Sequence, residues 1–419
     1  MNMDYYQHLK KSDLKVWELI DKENKRQASE LELIASENYV SPAVLEALAS
    51  VLSNKYSEGY SGRRYYGGNC NIDALEELAI SRAKSLFSCE HVNVQPLSGS
   101  PANAAVYSAL LNPGDKVLAL RLDHGGHLSH GHKVNFSGRL YDFFHYGLDS
   151  QGLIDMEEVR RLALSEKPKM IVAGFSAYSR NIDWREFKKI ADEVGAYTFA
   201  DISHIAGLIA GHQLENPVPY FDVVSTTTHK TLRGPRGAII MCRQEFAKAI
   251  DSAVFPGMQG GPHDNMTAAK AVAFQEALEA EFEEYAKQVI VNAQAMATVF
   301  KDNGFKIVSG GTDNHLFVID LRPQGISGKE AENILEKAGI SVSRSTIPND
   351  TNPPLNPSGI RLGTPAITTR GFKEGEVIKL AVFMVQLLSK NPTEEEINII
   401  KKKVAAMCEE FPLPTQDIC

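Results

Sequence analysis

A chain of 419 residues is longer than one compact core supports, so two domains are expected. With 43% apolar residues and a net charge of −8, it reads as a globular protein in water and makes nucleic acid an unlikely partner. No apolar run approaches the roughly 18 residues of a membrane span, and the opening Met1 to Tyr6 carries no apolar signal segment, so a cytoplasmic setting without membrane contact is expected.

In chain order, residues 13 to 29 open on Ser12-Asp13 as a cap and carry Leu14, Trp17 and Ile20 at helical spacing. Ser36-Glu37-Asn38 then follows an apolar approach, and either caps a helix starting near Pro42 or faces a ligand. Residues 54 to 69 hold four tyrosines and four glycines with no usable period. Such a loop is costly to order unless it covers something, which suggests a lid or an arm. From Asp73 the residues Leu75, Leu78, Ala79, Ala83, Leu86 and Phe87 follow a helical template with one buried face.

Residues 93 to 107 read as a strand, a Ser98-Gly99-Ser100 turn and an alanine-rich helix with Pro101 in its first position. Backbone amides, serine hydroxyls and the helix dipole there make an anion seat fit for a phosphate, although any capped helix looks similar. Strand-like runs at 116 to 122, 169 to 175, 197 to 200, 222 to 226 and 237 to 242 alternate with helical stretches at 155 to 165 and 185 to 195. That alternation is the mark of an α/β domain with an open, mostly parallel sheet. Among these runs, residues 123 to 132 contain His124, His127, His130 and His132. A metal site is the first alternative, but no nearby carboxylate or cysteine completes a ligand set. A histidine stacked on a cofactor ring is as economical, and no metal is expected. The five cysteines (Cys70, Cys89, Cys242, Cys408 and Cys419) are scattered and fit neither a disulfide framework nor a zinc site.

The run from Val223 to His229 is β-branched or hydroxylic and delivers His229 and Lys230 to a loop that Gly234, Pro235 and Gly237 keep irregular. A lysine at a strand end can attack a carbonyl if its amine is neutral, and Arg233 and Arg236 offer positive charge to lower its pKa. A surface basic turn is the competing reading of this stretch alone. What shifts the balance is the segment Tyr197 to His204, an apolar strand ending in Asp201 with His204 three residues on. An acid at a strand end, about one βα unit before such a lysine, is what pyridoxal phosphate needs to keep its pyridine nitrogen protonated.

From about 265 the helices lengthen. Two strands within 305 to 320, a helix at 328 to 337, a strand at 339 to 344 and helices within 373 to 408 predict an α+β second domain. The expected division is an N-terminal arm at 1–50, a large cofactor-binding α/β domain at 51–280 and a small α+β domain at 281–419. The loop 348 to 357 is a binding-loop candidate. Arg361, where a strand begins, has the fork that suits a substrate carboxylate.

Seven ordered blocks resemble the serine hydroxymethyltransferase family over nearly the full length. They are LIASENYVS at 33–41, EGYSGRRYYGGN at 58–69, NVQPLSGSPAN at 93–103, DHGGHLSHG at 123–131, TTTHKTLRGPRG at 226–237, FPGMQGGP at 255–262 and SGGTDNHLF at 309–317. The resemblance implies an α/β enzyme of fold type I, the aspartate-aminotransferase-like class of pyridoxal-phosphate enzymes. It implies transfer of the serine hydroxymethyl carbon to tetrahydrofolate, giving glycine and methylenetetrahydrofolate. It also implies that Lys230 holds pyridoxal phosphate covalently, that Asp201 pairs with the pyridinium nitrogen and that His127 stacks on the ring. Ser98, Gly99 and Ser100 hold the phosphate, Ser176 and His204 flank the phenolic oxygen, and His229 and Arg236 complete the cofactor set.

Family members are homodimers with shared sites, which implies that Tyr56, Glu58 and Gly261 reach the neighbouring subunit's cofactor. Ser36, Tyr66 and Arg361 resemble the groups that hold the amino acid, and Glu58 the proton shuttle near the serine hydroxyl. Folate is expected against Leu122, Gly126 and Leu128, with Pro353, Pro354 and Leu355 nearby. Departures fall on the folate side: Ser345 stands where the family commonly has asparagine, and Pro353-Pro354-Leu355 where many members have Ser-Pro-Phe. They motivate one alternative on the same scaffold, a folate-independent β-hydroxy-amino-acid aldolase. A protein that keeps the fold only to bind a partner is disfavoured by Lys230, Asp201, Glu58 and Arg361 standing together.

Overall fold

The apolar, β-branched runs assemble into a seven-stranded sheet: β1 (His91–Asn93), β2 (Lys116–Leu120), β3 (Asp142–Tyr146), β4 (Met170–Gly174), β5 (Tyr197–Asp201), β6 (Val223–Thr227) and β7 (Ala238–Cys242). The computed structural model describes residues 6 to 416, so the first five residues and the last three, Cys419 among them, lie outside the described residues. Across the sheet the order is β1-β7-β6-β5-β4-β2-β3. The five strands from β6 to β3 pair in parallel, whereas β7 runs antiparallel to both β6 and β1. Strands β4, β6 and β7 are buried along their whole length, as expected for a sheet covered by helices on both faces.

Those helices start where an aspartate can cap them. Asp155 accepts from the Glu158 amide at the head of Met156–Glu166, and Asp183 from the Glu186 amide at the head of Trp184–Val194. The second of these helices buries Trp184, Phe187, Ile190 and Ala191 against the sheet. The edge strand β3 was not among the expected strands. Its sequence Asp-Phe-Phe-His-Tyr is mostly half-buried and has neither the clean alternation nor the β-branched run of its neighbours. The helix after β1 also differs from expectation: it spans Gly99–Leu110, placing Pro101 third rather than first. Proline is tolerated there because the first-turn amides have no partner within the helix anyway.

A second sheet is antiparallel throughout, with β8 (Lys306–Ile307), β9 (Leu316–Asp320), β10 (Ser343–Ser345) and β11 (Gly359–Gly363) in the order β8-β9-β11-β10. Helices Glu374–Leu388 and Glu394–Glu410 pack on it through Leu380, Met384, Ile397 and Val404. The segment read as an arm contributes to this core. Leu31 and Leu33 are fully buried in it, and Leu31 pairs in parallel with Ile340. The helix Ala280–Asp302 serves both cores, giving Phe282, Ala286 and Val289 to the first and Met296, Ala297 and Phe300 to the second. Among the described residues, no helix is long and apolar enough to cross a membrane.

In the parallel register, Gly174 lies beside Asp201 and Asp201 beside Ser225. The carboxyl ends of β4, β5 and β6 therefore open side by side, the place where an open α/β sheet binds ligands.

Candidate active site

The strand ends open into a cavity of about 410 Å³. Its walls include Ser98, Gly99 and Ser100 from the start of helix Gly99–Leu110, Ser176 after β4, Asp201 and His204 at the end of β5, and His229, Lys230 and Arg236 after β6. His127 closes one side, while Ser36 and Arg361 reach in from the N-terminal segment and β11. Every residue expected on the cofactor and carboxylate side is thus brought together, apart from the Tyr56, Glu58, Tyr66 and Gly261 group. The fold also adds Phe175, Ser203, Thr227 and Glu37 to the lining.

Ser98 is built to leave its helix start open. It sits at the N-cap in extended conformation but makes no side-chain bond to the first-turn amides, and no acidic residue lies in that turn. Gly99 is required by a close approach, since a Cβ there would stand 2.8 Å from Thr227 Cγ2. An anion finds free amides, hydroxyls and the positive end of the helix dipole. The His229 Nδ1 atom, buried and without a hydrogen-bond partner, borders the same cavity.

Asp201 is the most heavily wired group. Its Oδ2 accepts from Asn103 Nδ2 at 2.8 Å and lies 3.2 Å from His130 Nε2, while its Oδ1 accepts from the Ser203 hydroxyl at 2.6 Å and the Ser203 amide at 3.1 Å. Burial alone would raise its pKa, but the bond to His130 and its charge, with the Ser203 hydroxyl, hold it far below the usual carboxylate range. The result is a carboxylate that stays ionised in a dry site. Asn103 and Ser203 carried little signal in the sequence, the first standing one helical turn after Ser100 and the second two residues after Asp201.

Lys230 follows β6 in a tight loop, where the Gly234 amide donates to the Thr228 carbonyl at 2.7 Å and the Arg233 amide to that of Lys230 at 3.1 Å. Burial lowers its amine from 10.5 to about 8, opposed by Asp201 and assisted by the positive charges of Arg361 and Arg236. Arg233 does not take part as expected, because it turns away to lie 4.8 Å from the Tyr285 ring centroid. Arg361 acts in its place. Asn38, from the polar triplet of the N-terminal segment, donates to the Lys230 carbonyl at 2.9 Å and to the Tyr285 hydroxyl at 2.8 Å.

His204 lies between Phe175 and His315, with ring centroids 6.2 and 5.4 Å away, and its Nδ1 is 3.2 Å from His315 Nε2. Burial, aided by the charges of Lys230 and Arg361, keeps it neutral. His127 is likewise drawn down to about 4 by burial and by His130. Arg361 donates from Nη1 to the Ser176 carbonyl at 2.7 Å and from Nε to Ser343 Oγ at 3.3 Å, which fixes the guanidinium plane at the cavity wall.

The expectation that no carboxylate stands near the histidine cluster is corrected by the fold. Asp201, remote in sequence, joins His127 and His130 with ligand atoms within 4.8 Å of one another. Those atoms are already engaged, His130 with Asp201 and His127 Nδ1 with Ser129 Oγ at 2.7 Å.

A second group gathers away from the cavity. Tyr56 and Tyr66 each place a hydroxyl 3.3 Å from a Glu58 carboxylate oxygen, their rings meet edge to face at 5.4 Å, and Gly261 lies against the Tyr56 ring. None of these four lines the Lys230 cavity. On the expected folate side, Leu122 borders a neighbouring cavity that shares His127 with the first, and Leu128 is exposed. Gly126 is buried where a Cβ would meet the Leu120 carbonyl oxygen at 2.2 Å. Pro353, Pro354 and Leu355 are exposed on a loop held by Arg344 Nη1 on the Leu355 carbonyl at 2.8 Å.

A family model described as serine hydroxymethyltransferase matches residues 9–384. A Legionella pneumophila (strain Corby) protein named serine hydroxymethyltransferase is 56% identical over 408 residues, covering 97% of this chain and 98% of its own. Serine hydroxymethyltransferase 2 of Pseudomonas putida is 55% identical over 405 residues, covering 96% of this chain and 97% of its own.

Proposed function

The chain belongs to the serine hydroxymethyltransferase family, the pyridoxal-phosphate enzymes that pass the serine hydroxymethyl carbon to tetrahydrofolate, and on that premise we propose how its own residues divide the work. The observation that carries the assignment is the opening of Asp201, Lys230 and an uncapped helix start into one cavity. Pyridoxal phosphate held there supplies an electron sink for the bonds at the substrate α-carbon. The residues present fit it: an anion seat at Ser98 to Ser100, an Asp201 carboxylate held well below its usual pKa for the ring nitrogen, and a dry amine for the aldehyde.

Lys230 Nζ, its proton weakly held, attaches the cofactor and is placed to carry a proton at the α-carbon. Neutral His127 presents a ring face, Ser176 and His204 the phenolic oxygen, and His229 and Arg236 the rest of the cofactor. Arg361 orients the substrate carboxylate, with Ser36 beside it. Glu58 moves a proton at the serine hydroxyl, and Tyr66 helps to hold the amino acid.

Because Tyr56, Glu58, Tyr66 and Gly261 stand outside the cavity on their own chain, a homodimer in which each protomer lends this group to its partner's site is the reading we adopt. Folate is assigned to Leu122, Gly126 and Leu128, with Pro353 to Leu355 nearby. The organisation into an arm, a large domain and a small domain, and a cytoplasmic setting, belong to the same reading. The relatives' names favour the folate-linked transferase over a folate-independent aldolase. Serine cleavage measured with and without tetrahydrofolate tests it: a strong dependence on folate is expected, and equal rates would return the aldolase.

A further inference from the structure

Helix Asp264–Ala277 carries a lysine that none of the roles above uses. Lys270 is 2% exposed, yet among the described residues no carboxylate pairs with it. Its ammonium instead donates to three backbone carbonyls, of Val94 at 2.6 Å, Pro96 at 3.0 Å and Ala238 at 3.0 Å. Glu76 is the acid whose charge acts on it, and that carboxylate is already held by Arg64 at 3.1 Å and Gln95 at 2.8 Å. Burial draws Lys270 down to about 7, and the charge of Glu76 works the other way.

Two of the three carbonyls lie on the approach to the anion seat and the third on the strand that follows the Lys230 loop. Val94 and Pro96 lie on the irregular stretch between the end of β1 and Ser98, while Ala238 opens β7 just past the Lys230 loop. The same segments touch again nearby, as the Ala238 amide donates to the Pro96 carbonyl at 3.1 Å, and the Lys230 loop is closed by the Thr228 amide donating to the Gly237 carbonyl at 3.0 Å. Gly237 leaves room for the lysine stem, since a Cβ there would stand 2.5 Å from Lys270 Cε.

We propose that Lys270 is the positioning residue of the cofactor's phosphate seat: by tying the approach to Ser98 to the strand that follows the Lys230 loop, it fixes where the Ser98–Ser100 turn stands against Thr227 and so the seat that a phosphate group must fit. This rests on the assignment of pyridoxal phosphate to the cavity. Lys270 does not touch the phosphate and acts through the backbone it holds.

The test compares two ligands that differ only in the phosphate. Apoprotein carrying Lys270→Met is titrated with pyridoxal phosphate and with pyridoxal, following the near-visible absorbance, and its thermal midpoint is recorded. Affinity for pyridoxal phosphate falls roughly tenfold or more, the scale of one lost charge-assisted hydrogen bond, while that for pyridoxal barely moves. Equal losses for both ligands, or no loss for either, overturn the proposal. If Lys270→Met does not fold, Gly237→Ala displaces the lysine stem without removing its charge, and an unchanged preference for the phosphorylated ligand in that variant overturns it equally. Wild-type protein that binds neither ligand would sink the cofactor assignment itself, a different outcome from either.

Discussion

The Lys230 cavity and the Tyr56–Glu58–Tyr66 group are built to opposite standards. In the cavity, Asp201 is 7% exposed and receives its partners at 2.6 to 3.2 Å from three different segments of the chain. In the other group, Tyr56 and Tyr66 are 56% and 49% exposed and each reaches Glu58 only at 3.3 Å. The segment beneath is nevertheless anchored, with Ser57 donating to Asp264 at 2.7 Å and Arg64 to the Ser57 carbonyl at 3.0 Å. An anchored base carrying exposed polar side chains is the arrangement the proposed half-site calls for. On the proposed reading, the cavity holds the cofactor on its own chain and the exposed group completes a partner's site.

Mixing inactive variants tests that difference most severely. Lys230→Ala lowers turnover by roughly 10⁴-fold or more, the scale of losing a covalent catalyst, and Glu58→Ala by about 10²–10⁴-fold, the range of a lost general acid. Unfolded and refolded together, the two variants regain activity, because every mixed dimer contains one site with both residues intact. Statistical pairing sets the ceiling at about a quarter of wild-type activity. No recovery in a preparation shown to contain mixed dimers would place both residues in one chain's site.

Inside the cavity, the wiring of Asp201 is the point of attack. Asp201→Asn keeps the shape and removes the charge, and turnover falls by about 10²–10³-fold, as when a preorganised electrostatic partner is lost. Cofactor still binds, since the anion seat and Lys230 are untouched. A variant that turns over at the wild-type rate would show that the carboxylate does not govern the ring.

Much of this contrast was legible in the sequence, and the reasons differ by region. Strand ends announce themselves through β-branched runs that stop at Asp201 and Lys230, so the cavity's two principal groups could be named from local pattern. The supports could not. Asn103 and His130 lie 98 and 71 residues from Asp201 and meet it only through the fold, a lone asparagine on an alanine-rich helix has no period to betray it, and Ser203, two residues after Asp201, looks like any turn serine. The same blindness produced the error over the histidine cluster, whose carboxylate lies 71 residues from His130. Strand β3 was missed because an edge strand is half-covered, and the role of Arg233 was misjudged because a residue at φ 58° turns its side chain away from the run that precedes it.

A gentler probe reads the field in the cavity directly. The neutral fraction of Lys230 rises as pH climbs through its pKa, so the rate of cofactor attachment to apoprotein increases with pH and levels off above about 8 rather than near 10.5. Arg361→Gln removes a positive charge and moves that inflection upward, whereas Asp201→Asn removes a negative one and moves it downward. Opposite shifts identify Lys230 as the titrating group. An inflection that ignores both variants would assign it to another group.

The smallest effect is expected on the proposed folate side, where the resemblance in sequence is least exact. Ser345 ends the edge strand β10, and its hydroxyl donates to the Thr346 carbonyl at 3.0 Å, so it is turned onto its own backbone. Ser345→Asn lengthens the side chain and supplies an amide with both a donor and an acceptor. One added hydrogen bond contributes about 0.5–1.5 kcal/mol, so the KM for tetrahydrofolate should fall by roughly two- to tenfold with kcat and the KM for serine unchanged. The split matters more than the size: a shift confined to folate assigns the end of β10 to the folate pocket, whereas a change in serine binding would move it to the Arg361 side. Arg361 is close enough for that outcome to be real, because Ser343 pairs with it two residues earlier on the same strand.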